Sequence, residues 1–499
     1  MPDTIQLPPT ILEQFTLANG LRVILSPDHS VPVVSVAVYY DVGSRNEPEG
    51  RTGFAHLFEH MMFQGSENVP KAAHFQYVFN AGGTMNGTTS TERTNYFETL
   101  PSNHLPLALW LESDRMRSLK VTQENLDNQR HAVQEEKRLR YDNQPYVNAF
   151  LRINELIFKN PANAHSTIGS MEDLDAATID DVRRFFQMYY APNNAVLSIV
   201  GDFNEKEARA LVEKYFSSIP NQPPPPPVDV REPPEVAERI DTYIDALAPA
   251  PAFVLGWKIP VRRTAEFYSL SLAGNLLFEG DSSRLYQKLV KGDESVVSIQ
   301  GGIDERRGPS ALYVFALPKP GQDVLKIRRQ IFDEISRLAT DGPTEEEMEK
   351  LSNSLTNDAV RGRQSTMYRA QRIAEFALYD KDPSLIDSEL NEYLAITADQ
   401  IREAVRSALN VENHVTLDIV PASQAEALAP TAASPQHPGE HKQPSSPPPQ
   451  VPAAPPTEPG SLHDPEVPSV EPDAEHPERP QDPARPRPSK NVGSGPLSL

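Results

Sequence analysis

GFAHLFEHMMFQGS, residues 53–66, combines an apolar helical pattern with three ionisable side chains. Residues 54–64 are predicted to form a helix, on which positions four apart lie on one face, so His56 and His60 can present two imidazoles to one ion. Glu59 lies beside His60, close enough to reach a water molecule held at that ion. Two nitrogen ligands and an adjacent carboxylate base are what a zinc hydrolase requires, and H-x-x-E-H is the inverse of the H-E-x-x-H order.

The alternative for this segment is a surface helix that carries two solvated histidines. Its apolar residues argue against that alternative, because they would bury the helix, and buried His and Glu without partners are costly. These residues are Phe54, Leu57, Met61 and Phe63. The chain contains no cysteine, which excludes disulfides and thiolate ligands, so any metal must be held by His, Asp or Glu.

A third metal ligand is expected from a long helix predicted over about residues 122–141. Its segment QRHAVQEEKR, residues 129–138, contains two adjacent carboxylates, Glu135 and Glu136. Adjacent positions on a helix lie about 100° apart, so the two side chains point in different directions. The spacing alone does not choose between them.

The overall charge and the N-terminal sequence argue against a nucleic-acid-binding, a secreted or a membrane-spanning protein. A formal net charge of −22 argues against a nucleic-acid partner, which needs a basic face. Residues 1–15 lack the basic and apolar regions of a signal peptide, and no apolar stretch is long enough to span a bilayer. The sequence therefore predicts a cytoplasmic protein without a membrane span. A mis-assigned start codon would instead allow a periplasmic or exported protein.

Proline content divides the chain. Five consecutive prolines at 223–227 favour an extended spacer, and the C-terminal region is rich in Pro and Ser with few large apolar residues. We predict a peptidase domain with the zinc site over residues 1–218, a Pro-rich linker over 219–235, a homologous domain without a zinc site over 236–422, and a disordered Pro-rich tail over 423–499.

The two halves end alike, which indicates duplication. Thr178 opens an amphipathic helix that leads to the strand AVLSIV, residues 195–200, and Thr397 opens a comparable helix that leads to VTLDIV, residues 415–420. Strands and helices of mixed order, without regular βαβ alternation, are typical of the α+β class. The prediction is two homologous α+β domains, each a mostly antiparallel sheet packed with helices.

The chain from about residue 12 to 420 resembles the pitrilysin-type zinc metallopeptidases, particularly the two-domain subunits similar to the mitochondrial processing peptidase beta subunit and its bacterial homologues. The resemblance implies the pitrilysin-like metallohydrolase fold, one Zn²⁺ per chain and endopeptidase activity. In that family the third ligand is a Glu about 76 residues after the second His, which selects Glu136. The resemblance rests on GFAHLFEHMMFQGS (53–66), AGGTMNGTTSTERTNYFETLP (81–101), RHAVQEEKR (130–138) and GDSSRLYQKL (280–289).

The resemblance also implies a substrate site and a supporting residue for the metal. The segment that begins at Thr84 is similar to the edge strand on which the family lays an extended peptide, with Asn86, Gly87 and Thr88 as the substrate-binding residues. The alternative for Asn86 is an ordinary turn residue. Gln129 stands where the family often has a Glu that hydrogen-bonds a metal ligand; it can still hydrogen-bond but adds no charge.

One departure from the family concerns the transition state. Val290 and Val297 stand where members usually carry an Arg and a Tyr that stabilise the substrate carbonyl, and losing such donors costs roughly a hundred-fold or more in rate. We expect a zinc metalloendopeptidase that hydrolyses peptides or unfolded polypeptide segments as the catalytic subunit of a heterodimer whose partner supplies that pair; a homodimer is another assembly. The alternatives are a chain that acts alone with another stabiliser, such as Arg284, and a non-catalytic structural subunit.

Overall fold

Alternating and β-branched segments form the strands, and capped amphipathic segments form the helices. The computed structural model describes residues 8–233 and 237–428, except for the side chains of residues 426–428. The strands are β1 (Glu13–Thr16), β2 (Arg22–Pro27), β3 (Val33–Tyr40), β4 (Thr84–Thr89), β5 (Thr94–Pro101), β6 (Ala195–Gly201), β7 (Arg239–Asp245), β8 (Ala252–Ile259), β9 (Val296–Asp304), β10 (Ser310–Pro318) and β11 (His414–Pro421).

The helices follow the capping signals of the sequence. Thr178 and Thr397 each cap a helix through a reciprocal side-chain and backbone capping box, as the matched helix–strand units predict. The helices are α1 (Phe54–Met61), α2 (Ala73–Asn80), α3 (Leu105–Ser118), α4 (Gln123–Lys137), α5 (Val147–Ile157), α6 (Pro161–Ala164), α7 (Met171–Ala176), α8 (Ile179–Tyr189), α9 (Glu205–Phe216), α10 (Ala265–Phe278), α11 (Val324–Asp341), α12 (Glu345–Gln364), α13 (Thr366–Tyr379), α14 (Leu385–Leu394), α15 (Ala398–Ala408) and α16 (Ala422–Leu428), with π-helical turns at Arg138–Asp142 and Tyr286–Gly292.

The strands form two sheets of related topology. The first sheet has the order β1-β2-β6-β3-β5-β4 and the second has the order β7-β11-β8-β10-β9. In each sheet one pair is parallel, β2 with β6 and β7 with β11, and the other pairs are antiparallel. The second sheet therefore repeats the first without an equivalent of β1. This confirms the predicted fold of two homologous, largely antiparallel α+β domains.

The central strand β6 is buried along its whole length and is apolar except for Ser198, because both of its faces are covered. Leu197 and Ile199 pack in the core that the first sheet shares with the helices of its own half. Val196 and Val200 point to the opposite face and pack against α13, which comes from the second half of the chain. The first sheet is therefore completed by a helix that lies far away in sequence.

The second sheet is covered in the reciprocal way. Ile153 and Ile157 of α5, from the first half, pack against Val254 of β8 and Leu417 of β11. Each half thus contributes one helix that packs on the sheet of the other half. The division of the chain into domains at residues 218 and 236 stays a prediction. It separates the two sheets, but it assigns α5 and α13 each to the half opposite the sheet on which the helix packs.

Two segments outside the sheets bear on the predicted domain plan. Residues 220–233 of the predicted linker form no helix or strand, and Glu232 accepts hydrogen bonds from the backbone N–H groups of Lys159 and Asn160 at 2.9 and 3.0 Å. The predicted tail was placed from residue 423, but α16 extends to Leu428 because Ala, Gln, Glu and Leu favour a helix and no proline interrupts them. Residues 429–499 lie outside the described part of the chain. Of the helices that are described, none has the length and apolar character needed to cross a bilayer.

Candidate metal centre

Helix α1 carries the H-x-x-E-H motif and is fixed by its apolar face. Leu57, Phe58 and Met61 are fully buried in the core of the first half. The side chains of His56 and His60 stay partly accessible, at 12% and 24% of their surface. Burial of one face of α1 therefore leaves the ionisable side chains at the border of the core. The helix ends at Met61, three residues before the end predicted from its pattern.

The N-terminus of α1 is held by a buried carboxylate that the sequence analysis did not identify. Glu47 accepts hydrogen bonds from the backbone N–H groups of Gly53 and Ala55 at 2.8 and 2.7 Å. His165 Nε2 lies 3.0 Å from the same carboxylate. Burial raises the pKa of Glu47, and His165 opposes this rise. A carboxylate at this position accepts hydrogen bonds from free helical N–H groups and interacts favourably with the helix dipole. Gly53, the N-cap residue, has a φ of +85°, a left-handed conformation that favours glycine.

Three side chains converge on one point next to α1. His56 Nε2 and His60 Nε2 lie 3.6 and 3.1 Å from Glu136 Oε2, and one ligand atom from each residue lies within 4.8 Å of the other two. Glu135 points away from this point and pairs with Arg138 at 3.0 Å on the surface. The structure thus brings Glu136 to the two histidines, where the helical spacing had left the two glutamates open.

The electrostatics of these residues suit a metal ion. Burial and the neighbouring His60 lower the pKa of His56 to about 4, which keeps its imidazole neutral with a lone pair available. The hydrogen bond with His60 lowers the pKa of Glu136, which keeps it a carboxylate. Two imidazole nitrogens and one carboxylate oxygen are a donor set that zinc accepts, with a fourth position left for water. The residues present therefore fit a zinc ion.

Glu59 lies next to this set and is oriented by a residue from β4. Thr89 Oγ1 donates a hydrogen bond of 2.6 Å to Glu59 Oε2. Burial raises the pKa of Glu59, and the hydrogen bond from Thr89 opposes this rise. A carboxylate whose pKa is moved upward toward neutrality is suited to accept and return a proton. Thr89 was not among the residues predicted for the site.

Strand β4, which carries the predicted substrate residues, lies at an edge of the first sheet, with β5 as its neighbour. Within the described ranges no strand pairs with its other side, so that side can accept an added strand. Asn86 is exposed there, and its Oδ1 accepts from the Gly87 N–H at 2.9 Å. A Cβ at Gly87 would lie 3.1 Å from Tyr96 and 3.2 Å from Glu59, so this glycine lets the edge strand approach the base.

Thr88 differs from its neighbours in β4. Its hydroxyl hydrogen-bonds Asn95 Oδ1 at 2.5 Å and Arg93 Nη1 at 2.5 Å, and its carbonyl oxygen accepts from Arg93 at 3.1 Å. Successive side chains in a strand point to opposite faces, so Thr88 points away from the face on which Thr89 contacts Glu59. Any contact of Thr88 with a substrate would therefore use its backbone.

The predicted supporting residue Gln129 is buried on α4, about two helical turns before Glu136. Among the residues that the structure describes, no hydrogen bond joins Gln129 to His56, His60 or Glu136. Its assignment as a partner of the metal ligands rests on the family resemblance.

Arg284, considered above as an alternative transition-state stabiliser, is paired with carboxylates of the second half. Arg284 forms two hydrogen bonds with the Glu347 carboxylate, at 2.6 and 2.7 Å, and lies 3.5 Å from Glu334, so its charge is already neutralised. Val290 packs against the core of the second half, and Val297 is 53% exposed on β9. Neither valine side chain can donate a hydrogen bond.

A second group of ionisable side chains is buried in the core of the first half. His74 Nε2 lies 3.5 Å from Glu98 and 3.9 Å from Glu112, and Arg115 pairs with Glu112. Both oxygens of Glu98 are buried without a hydrogen-bond partner. Burial raises the pKa of Glu98 to about 8 and lowers that of His74 to about 3. No local sequence pattern predicts this group, because its members come from α2, β5 and α3 and meet only in the folded core.

The high pKa of Glu98 predicts a stability that falls with rising pH. The unfolded chain releases this proton near pH 4.5 and the folded chain near pH 8, so folding takes up a proton between these values and stability is lost as the pH rises. Glu98→Gln mimics the neutral acid and does not titrate. We expect the free energy of unfolding of the wild type to fall by about 3 kcal/mol relative to that of Glu98→Gln as the pH rises from 5 to 8. Urea unfolding at several pH values measures this difference, and parallel pH dependences of the two proteins would contradict it.

The chain is similar to known protein families and to curated proteins. A family model described as Insulinase (Peptidase family M16) matches residues 22–169, and one described as Peptidase M16 inactive domain matches residues 176–355. Zinc protease PqqE of Helicobacter pylori is 28% identical over 378 residues, which cover 75% of this chain and 85% of that protein. The beta subunit of the mitochondrial-processing peptidase of Lentinula edodes is 28% identical over 205 residues, 41% of this chain and 44% of that protein.

Solved structures show the same fold. The crystal structure of a protease from Helicobacter pylori has a TM-score of 0.79 at 26% identity and covers 83% of this chain and 100% of that chain. The first half of the periplasmic protease PqqL from Escherichia coli has a TM-score of 0.69 at 20% identity and covers 85% of this chain and 95% of that chain. The second similarity concerns the fold alone.

Proposed function

We propose that this chain, which belongs to the insulinase (peptidase M16) family, is a zinc-dependent metalloendopeptidase that hydrolyses peptides or unfolded polypeptide segments. The observation that carries the proposal is the convergence of His56, His60 and Glu136 beside the carboxylate of Glu59. The relatives named as zinc proteases support zinc as the metal. The match of the second half to a model described as inactive agrees with a metal centre built from the first half.

His56, His60 and Glu136 would hold one zinc ion per chain. When bound, zinc supplies Lewis-acid activation of a water molecule and of the substrate carbonyl. Glu59 accepts the proton of the attacking water and returns a proton to the amine that leaves when the peptide bond breaks. Because Thr89 occupies Oε2 of Glu59, its Oε1 is the oxygen left to receive the proton.

The substrate would bind as an added strand along β4. The free edge of β4 offers backbone groups to an extended peptide, and these contacts demand little of the peptide's sequence. The backbone groups of Asn86, Gly87 and Thr88 are the contacts that we assign to the peptide near the bond that is cleaved, because alternation places the Asn86 side chain on the same face as that of Thr88. This mode of binding favours unfolded segments, because the backbone groups of a folded substrate are already hydrogen-bonded and cannot pair with β4.

We further propose that the chain is the catalytic subunit of a heterodimer. The absence of hydrogen-bond donors at Val290 and Val297, together with the neutralised Arg284, supports a partner of the same family that supplies an Arg and a Tyr. A homodimer is the alternative assembly, and a non-catalytic structural subunit is the alternative function. The cytoplasmic location expected from the sequence stays a prediction, and PqqL, whose first half has the same fold, is named a periplasmic protease.

Hydrolysis of an unstructured fluorogenic peptide by the zinc-loaded chain tests the proposal. We expect turnover that a chelator abolishes, and we expect it to rise by roughly a hundred-fold or more when a family member that carries the Arg and the Tyr is added, because transition-state donors contribute about that much. Full turnover by the chain alone would contradict the heterodimer but not the peptidase. A zinc-loaded chain that stays inactive with each such partner would contradict the peptidase and favour the structural subunit.

A further inference from the structure

The last residue of the substrate strand contacts the general base. Thr89 Oγ1 lies 2.6 Å from Glu59 Oε2, and both side chains are half-buried. Among the described residues, no other group forms a hydrogen bond or an ion pair with the Glu59 carboxylate. A threonine hydroxyl can donate one hydrogen bond, and the Thr89 hydroxyl donates it to the Glu59 carboxylate. The orientation of the Glu59 carboxylate is therefore set by one hydroxyl group.

This hydroxyl group is itself fixed by the strand that carries it. Thr89 pairs with Thr94 of β5 at the end of the β4–β5 ladder. In the turn that follows, the carbonyl oxygens of Ser90 and Thr91 accept hydrogen bonds from the backbone of residues 44 and 45, at 3.2 and 3.0 Å. A residue held on both sides in this way has little freedom to move its side chain away from Glu59.

The same turn is held from the second half of the chain. The Glu92 carboxylate accepts hydrogen bonds from Arg45 Nη1 at 2.5 Å and from the backbone N–H of Arg307 at 2.8 Å. Arg307 also pairs with Asp41 at 2.6 Å. The position of Thr89 is thus secured by elements that lie more than two hundred residues apart in sequence.

We propose that Thr89 is a positioning residue that holds the Glu59 carboxylate in the orientation required for proton transfer. This inference rests on the proposed peptidase function. By fixing Oε2, the Thr89 hydroxyl directs Oε1 toward the water that must lose its proton. Because Thr89 belongs to the strand that also binds the peptide, one element places both the substrate and the base.

A pair of substitutions tests the proposal. Thr89→Val keeps the shape of the side chain and removes its donor, and Thr89→Ser keeps the hydroxyl. We expect Thr89→Val to lower kcat by roughly ten-fold to a hundred-fold with KM and zinc content unchanged, since the contribution of a well-placed base is about a hundred-fold or more. Thr89→Ser is expected to retain most of the kcat. Thr91→Val, two residues further along the turn, is the control for loss of a threonine hydroxyl at this end of the strand and is expected to leave kcat unchanged.

The alternatives give different patterns. A purely structural role of Thr89 in β4 would raise KM or lower the melting temperature, and Ser and Val would then behave alike; either result overturns the proposal. An unchanged kcat in Thr89→Val, while Glu59→Gln is inactive, overturns the role of Thr89 alone. Normal hydrolysis by Glu59→Gln would instead overturn the proposed function, and the role of Thr89 with it.

A measurement independent of activity completes the test. Crystal structures of the zinc-loaded wild type and of the zinc-loaded Thr89→Val variant show directly whether the carboxylate of Glu59 is held by the hydroxyl. We expect the carboxylate to rotate or to become spread over several orientations in Thr89→Val. An unchanged, single orientation of Glu59 in that variant would overturn the proposal.

Discussion

Glu59→Gln is expected to lower kcat/KM for peptide hydrolysis by about a thousand-fold while the zinc content stays at the wild-type level. The amide has the shape of the carboxylate and can still accept the hydrogen bond from Thr89, but it cannot take a proton from water. The metal set is expected to remain intact, because His56, His60 and Glu136 are unchanged in this variant. Steady-state kinetics on a fluorogenic peptide, with metal analysis of the same sample, measure both quantities.

The control for this change is Glu49→Gln, which removes the carboxylate of an exposed residue upstream of α1. We expect Glu49→Gln to hydrolyse the peptide at the wild-type rate. If Glu59→Gln were as active as Glu49→Gln, proton transfer would have to be assigned to another group, and the mechanism proposed here would be wrong.

Glu136→Gln is expected to lose both zinc and activity. The amide replaces the one anionic ligand. Loss of a hydrogen bond to a metal ligand already weakens metal binding by about 10–100-fold, so we expect the zinc affinity to fall by at least about a hundred-fold. Titration with a chromogenic chelator measures the affinity, and the peptide assay measures the activity.

The neighbouring residue provides a matched control. Glu135 is exposed and paired with Arg138, so Glu135→Gln is expected to keep the wild-type zinc affinity and turnover. The melting temperatures of the metal-free proteins are expected to agree, because neither change removes a fully buried side chain. Loss of zinc in Glu135→Gln with retention in Glu136→Gln would exchange the two assignments and contradict the geometry of the site.

The second half of the chain shows how far duplication can diverge in function. Its sheet repeats the order of the first sheet, and β9 occupies the edge that β4 occupies in the first half. The helix that follows β8, α10, contains no histidine and buries apolar residues on all sides. Over residues 237–428 the second half therefore retains the architecture of the first, and its helix α10 carries no histidine. Its described contribution to the site is indirect, through α13 behind the sheet and Arg307 at the turn after β4.

Local patterns in the sequence predicted most of the elements around the site. The apolar periodicity of residues 54–64 predicted α1, and the threonines at 178 and 397 predicted the starts of α8 and α15. These signals are readable because helix periodicity and N-capping act between residues within one or two turns of each other. The choice of Glu136 over Glu135 came from the family resemblance, since the helical spacing left it open.

The residues that the sequence analysis missed make their contacts through the fold. Glu47 reaches α1 through an irregular segment, and Thr89 reaches Glu59 through the register of β4 on β5. Glu98 meets His74 only because β5 passes under α2 in the core. Such contacts depend on loop paths and on strand register, for which a single sequence carries no local signal.

The sequence by itself determined the helix that carries the H-x-x-E-H motif, the pair of related halves and the chemistry of the proposed ligands, because spacing on one helix and residue type set these properties. The tertiary structure decided which glutamate faces the histidines, which hydroxyl orients Glu59 and which helix covers which sheet. Helices α5 and α13 belong to different halves of the sequence, yet each packs on the sheet of the other half. The physical reason is that burial of apolar area lowers the free energy against any apolar partner, because the hydrophobic effect has no direction. The geometry of the whole chain therefore decides which surface each helix covers.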